Sequence, residues 1–208
     1  MGRYLGPSCR MCRKEGIKLM LKGDRCLSSK CAIVKKRMPP GNIPKRRTKT
    51  SEYGVQLREK QKVKRFYGLG EKQFKHYFKL AARKKGITGE TLLIMLERRL
   101  DNVAYRMHFS SSRKMARQLV GHGHVLVNGR RVDIPSYLIK EGDEIEVKES
   151  SKRMIPVLES MKDISRTGTV PWIEVDPDQL KGKFVYIPKR EEIDLPVNEQ
   201  LIVEYYSK

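Results

Sequence analysis

The whole net charge of this chain lies in its first half. Residues 1–100 carry 28 Lys and Arg against 7 Asp and Glu, residues 101–208 carry 17 of each, and the total is +21. Like charges at that density repel one another in any compact state unless a polyanion screens them. A run of three or four cations is ordinarily a solvated face. Half a chain at this charge points instead to a backbone-gripping arm joined to a neutral, folded anchor, with nucleic acid as the partner. The 208 residues allow one large or two small domains. No apolar run approaches the roughly 18 residues of a membrane span, so the chain reads as soluble, with no membrane and no small-molecule substrate among its partners.

The opening Met1–Pro7 lacks the apolar stretch of a secretory signal, which predicts a cytoplasmic protein. In a reducing compartment, cysteines are metal ligands more often than disulfides. All four fall near the start: Cys9-x2-Cys12, then 13 residues, then Cys26-x4-Cys31. Two pairs of thiolates complete a tetrahedron around zinc, and the polar segment between them cannot make a core without such help. The spacing predicts a closed structural zinc site, with an iron–sulfur cluster or unliganded buried thiols as the alternatives. Six Lys or Arg between Cys9 and Cys26 are expected to lower the thiol pKa values and so favour a metal. Four Cys leave no open position for catalysis, and His76, His108, His122 and His124 lie far along the chain.

Residues 38–49 are rich in Pro, Gly and Asn and read as a linker. Its Lys45-Arg46-Arg47 cluster suits a phosphate grip or a nuclear-import-like address. Ser51 can cap a helix over 52–67, in which Val55, Leu57, Val63 and Phe66 alternate with Arg58, Lys60, Lys62, Lys64 and Arg65. A second helix over 71–85 spaces Phe74, Tyr77, Phe78 and Ala81 at helical intervals. The apolar stripes read as core, and the cations, Arg58 and Lys62 among them, as facing the polyanion.

A single amphipathic helix is predicted over 89–107, with Leu92, Leu93, Leu96, Leu100, Val103, Ala104 and Met107 on one face. Ser112 then caps a short helix carrying Arg113 and Arg117 at i, i+4, and Lys114 and Gln118 likewise. A cationic first turn with free amides is a phosphate site. Gly121-His122-Gly123 ends that helix. Asn128-Gly129 between apolar runs then signals a hairpin with both turn residues at positive φ, and a third strand is predicted at 143–147.

These residues carry a resemblance. The stretch from Leu96-Glu97-Arg98-Arg99-Leu100-Asp101-Asn102-Val103 through Ser112-Arg113, Arg117-Gln118-Leu119-Val120 and His122-Gly123-His124-Val125 to Val127-Asn128-Gly129 resembles the RNA-binding module named after small-subunit ribosomal protein S4. The Arg3-Tyr4-Leu5-Gly6-Pro7 opening, residues 54–62 and residues 198–208 extend the likeness to the bacterial S4 family across essentially the whole chain. The resemblance implies a primary small-subunit rRNA binder that nucleates assembly of the particle's body, near ribosomal proteins S5 and S12 and the mRNA entry. It also implies contributions to translational accuracy and the zinc-bearing branch of the family. Arg113, Arg117, Gln118, His122, His124, Asn128 and Arg130 would line the RNA face, and Lys45, Arg46 and Arg47 would lie toward the mRNA path.

The same module occurs on pseudouridine synthases, and Arg99-Leu100-Asp101 is similar to their catalytic signature, so an RNA-modifying enzyme is the alternative reading. Here the tripeptide is expected inside a helix, and too little chain follows it for a catalytic domain. A DNA-binding zinc protein is a third option. Over 150–208 a helix near 154–161 and strands at 172–175, 184–187 and 201–206 are expected to pack on the module. The architecture predicted is α+β: a zinc-binding N-terminal segment and linker (1–45), a basic helical region (46–95), a module of two helices on a small antiparallel sheet (96–150) and a mixed C-terminal segment (151–208).

Overall fold

The structure, a computed structural model, describes residues 4–41, 51–162 and 164–207. The chain divides into two compact units, Met1–Leu92 with Leu195–Lys208, and Leu93–Asp194. This differs from the four segments read from sequence, chiefly because the last segment is shared between the two units.

In the first unit, α1 (Ser8–Glu15) ends at Gly16, whose φ of 73° lets its N–H reach the Cys12 carbonyl at 2.9 Å. A single turn, α2 (Asp24–Leu27), carries Cys26. Helix α3 (Glu52–Phe66) begins where Ser51 Oγ accepts from the Gly54 N–H at 3.2 Å, and α4 (Glu71–Ala82) follows, burying Phe74, Tyr77 and Ala81. The buried stripe of α3 is not the one its apolar residues suggest. Gln56, Lys60, Val63 and Phe66 are buried, while Val55 is exposed. The reason lies at the far end of the sequence, where residues 199–207 form a helix, α10 (Glu199–Ser207), rather than the strand expected at 201–206.

Asn198 Oδ1 accepts from the Gln200 N–H at 3.0 Å at its start, and α10 packs on α3. Gln56 Nε2 donates to Glu204 Oε2 at 3.0 Å. Lys60 Nζ bonds Glu71 Oε1 at 2.6 Å and lies 4.5 Å from the Tyr205 ring centroid and 5.6 Å from that of Tyr206. A buried ammonium is tolerable in such a setting because a carboxylate and two aromatic faces replace its water. Lys60 therefore does not face a polyanion, contrary to the expectation for the basic side of this helix.

Helix α5 (Thr88–Glu97) straddles the division between the units, and α6 (Leu100–Arg106) follows it in the second. The single helix expected over 89–107 is broken at Arg99, which is extended and bridges Leu138. The Leu100 N–H donates to the Tyr137 carbonyl and the Ile139 N–H to the Arg98 carbonyl, so segment 137–139 supplies what the helix gives up. Helix α7 (Arg113–Gly121) leads into β1 (Val125–Val127) and β2 (Arg130–Arg131). Their turn has Asn128 at φ 49° and Gly129 at φ 74°, as the Asn-Gly pair predicts.

After β3 (Glu144–Val147) come α8 (Ile155–Lys162), α9 (Ile164–Thr167), β4 (Ile173–Asp176) and β5 (Lys181–Phe184). The antiparallel sheet runs β2-β1-β3-β5-β4, larger than the three strands expected of the module alone. Strand β5 lies three residues before its predicted place. Asp176 Oδ1 accepts from the Asp178 and Gln179 amides, and Leu180, at φ 53°, closes the turn early. One face of the sheet joins α6 and α7 in a continuous apolar core that includes Leu100, Val103, Met107, Leu119, Ile145, Trp172 and Phe184. Gly182 is required there, since a Cβ would lie 2.8 Å from the Glu174 carbonyl oxygen and 3.0 Å from Met107. The α+β class holds, with a helical first unit and a sheet-based second one.

Candidate nucleic-acid interface

The candidate face of the second unit is built on α7 and the β1–β2 hairpin. Ser112 Oγ accepts from the Met115 N–H at 3.4 Å, as its capping role predicts. Arg113 is not presented outward as the sequence suggests. It is buried, with Nε donating to Asn102 Oδ1 at 2.7 Å and its guanidinium 4.4 Å from the Tyr105 ring centroid. Asn102 in turn donates to Glu97 Oε2 at 2.7 Å, and Glu97 takes two further bonds from Arg106.

A second chain runs beside it. Arg99, wholly buried, grips Asp101 through Nε and Nη2 at 2.9 and 2.6 Å, and Arg117 Nη1 lies 3.4 Å from Asp101 Oδ2. Asp101 is therefore 4% exposed at the start of α6 rather than inside a long helix, and it offers no open carboxylate for chemistry at a base. The i, i+4 spacing does put Arg113 and Arg117 together, but toward this network.

Farther along α7, Lys114 is half-buried, and Gln118 and His122 are exposed. His124 Nδ1 sits 2.9 Å from Ser151 Oγ, and the His122 and His124 ring centroids are 6.0 Å apart. Asn128 is the first turn residue of the hairpin. Its Nδ2 donates to Asp143 Oδ1 and its Oδ1 accepts from the Glu144 N–H, both at 2.9 Å, so both ends of its amide are committed within the fold.

Arg130 is exposed, and so is Arg131, which sequence reasoning passed over. Gly123, at φ 72°, leaves the space in which the Arg131 guanidinium lies. A Cβ there would sit 2.1 Å from Arg131 Nε. The glycine flanked by histidines was the available signal, but linking it to Arg131 requires the register that sets Leu126 opposite Arg131. The outer sheet face beyond that row is charge-balanced. Glu144 pairs with Lys181 at 2.7 Å, which lowers the Glu144 pKa and raises that of Lys181, and Lys183 stands opposite Glu144 and Glu174 in the strand register.

In the first unit, Arg58 Nη1 donates to Glu15 Oε1 at 3.2 Å, and Lys62 pairs with Glu59. Lys45, Arg46 and Arg47 lie outside the described residues. Cys9, Cys12, Cys26 and Cys31 are free thiols, the last three buried. Among the described residues, no group of three or more His, Cys, Asp or Glu side chains is arranged to hold a metal ion. The neighbouring bases do not dominate the thiols as expected. Burial pushes Cys12 and Cys26 up, opposed by backbone hydrogen bonds from Leu19 to Cys12 and from Lys22 and Leu21 to Cys26. The other thiols push up further: Cys26, Cys9 and Cys31 on Cys12, and Cys31 and Cys9 on Cys26. A protonated thiol is a poor ligand, so a metal would have to displace these protons.

Residues 3–97 match the model of the ribosomal protein S4/S9 N-terminal domain, and residues 98–145 match that of the S4 domain. The chain is 56% identical, over the full length of both, to small ribosomal subunit protein uS4A of Symbiobacterium thermophilum. It is 55% identical, again over both full lengths, to small ribosomal subunit protein uS4 of Thermodesulfovibrio yellowstonii and of Geotalea uraniireducens. Together the two domain matches and these full-length identities place the chain in the uS4 family of small-subunit ribosomal proteins.

Proposed function

We propose that this chain is a non-catalytic structural constituent of the small ribosomal subunit, held in the cytoplasmic ribosome by direct binding to small-subunit rRNA. Full-length likeness to uS4 carries the reading, and the concentration of positive charge in the first 100 residues agrees with it. The buried Asp101 and the family both favour this over an RNA-modifying enzyme.

Side chains cannot read the deep groove of A-form RNA, so recognition runs through phosphate and 2′-OH contacts on a folded junction. Gln118, His122, Arg130 and Arg131 form the contact edge, with Lys114 and Arg117 beside it. Arg113, Asn128 and His124 act mainly by fixing its shape. Family likeness supports a primary role in assembling the particle's body, neighbours such as S5 and S12, and a contribution to mRNA entry and accuracy through Lys45, Arg46 and Arg47.

Salt titration of binding to folded small-subunit rRNA tests the edge. Arg130→Ala with Arg131→Ala should weaken affinity and flatten the log–log salt slope by up to roughly 0.9 for each phosphate no longer neutralised. An unchanged slope would remove this edge from the reading. Absence of the protein from small subunits and their precursors on a sucrose gradient would sink the reading as a whole.

We also infer that Cys9, Cys12, Cys26 and Cys31 hold one structural zinc, which would supply a cross-link where the arm lacks a core. The mutual influence of the thiols and the backbone N–H groups aimed at Cys12 and Cys26 support this. Elemental analysis of tag-free protein should find one zinc per chain. Iron with visible absorbance would favour a cluster instead, and no metal would end the inference.

A further inference from the structure

Glu15, the last residue of α1, is a carboxylate with no exposed side-chain surface, and its Oε1 accepts from Nη1 of both Arg58 and Arg65. Those arginines stand seven residues apart, two turns along one face of α3. Glu15 Oε2 is buried and has no hydrogen-bond partner among the described residues. Burial holds the carboxyl above its ordinary value, opposed only in part by Arg65, Arg58, Lys62 and Lys14.

If the only task were to attach α1 to α3, an apolar contact of the same volume would serve at lower desolvation cost. What the carboxylate adds is geometry. Each guanidinium gives one of its five N–H donors to a shared oxygen, and the two side chains remain 32% and 23% exposed. We propose that Glu15 is a positioning residue that holds Arg58 and Arg65 as a paired clamp for the phosphodiester backbone of RNA. The clamp is tied to the cysteine arm because Glu15 lies one turn beyond Cys12 on the same helix. This deepens, and rests on, the rRNA-binding reading above.

The test is the salt dependence of binding by the full chain to folded small-subunit rRNA, compared for wild type, Glu15→Leu, Glu15→Gln, Arg58→Ala with Arg65→Ala, and the triple variant that adds Glu15→Leu. Leu fills the buried volume but accepts no hydrogen bond, so Glu15→Leu should weaken binding several-fold. It should also flatten the slope by up to roughly 0.9 for each of two phosphates. Gln keeps an acceptor and should restore most of the slope. The triple variant should match the double, since residues of one unit are non-additive.

Tighter binding with a steeper slope in Glu15→Leu would mean that Glu15 only neutralises the arginines, and would overturn the proposal. So would an unchanged slope, effects that add in the triple variant, or a loss of helical circular dichroism, each of which marks a purely structural contact. A wild type that binds the rRNA no better than a random duplex would sink the rRNA reading itself and the clamp with it. Normal wild-type binding combined with any of the other outcomes sinks the clamp alone.

Discussion

Both units bury charged side chains, but in different surroundings. The second closes an apolar core between α6, α7 and a five-stranded sheet, and its buried charges form short chains beside that core. The first carries +19 of the +21, from 27 Lys and Arg against 8 Asp and Glu, and among the described residues it buries fewer of its apolar side chains than the second. It places Glu15, Gln56 and Lys60 inside, each against a polar or aromatic partner distant in sequence. The contrast teaches that an excess of cations is handled in two ways. Most are left at the surface for a polyanion, and a few are drawn in where a carboxylate and ring faces can replace water.

The largest effect should come from breaking the buried pair of the second unit. Arg99→Ala leaves Asp101 without its bidentate partner in a dry site and should cost about 3–5 kcal/mol, measured by urea denaturation. Gly182→Ala should come next, at about 1–3 kcal/mol, because the added methyl meets backbone on one side and Met107 on the other.

In the first unit, Lys60→Ala should cost about 1–2 kcal/mol, less than Arg99→Ala because Glu71 is half-exposed and can rehydrate. It should also make residues 195–207 accessible to limited proteolysis. A loss in the first unit equal to that of Arg99→Ala would erase the proposed difference between the units.

Acid should sharpen the contrast. Burial pushes the Glu71 carboxyl up, but hydrogen bonds from Lys60 and Lys64 outweigh it and hold the carboxyl down at about 2. A carboxyl depressed in the fold stabilises it fully above its unfolded value near 4.5. That contribution is lost as pH falls from there through about 2, so Glu71→Gln should flatten the stability profile in this window. The smallest effect is expected at Glu144→Gln on the outer sheet face, where the melting temperature should not move measurably.

Local signals made part of this legible in advance. Ser51 and Ser112 fixed helix starts, and Asn128-Gly129 fixed a turn, because each acts within three or four residues of itself. What escaped depends on partners far along the chain. The inward turn of Gln56 and Lys60 needs Glu204 and Tyr205, and the break at Arg99 needs residues 137–139 to take over its hydrogen bonds. Leu201-Ile202-Val203 reads locally as a strand, and its helix shows itself only once Asn198 is seen to accept at its start and α3 to cover it. For the candidate interface, spacing grouped Arg113 with Arg117, but it could not say which way the group points.

The order in which a ribosome makes this molecule follows from where α10 packs. Residues 1–92 emerge first, yet the helix that covers Gln56 and Lys60 is not translated until all of 93–194 has been. During that interval the second unit can mature by itself, while the first waits with Gln56 and Lys60 uncovered. A gene fragment ending at residue 92 would reproduce that waiting state rather than a finished domain, and appending residues 195–208 through a short linker should complete it.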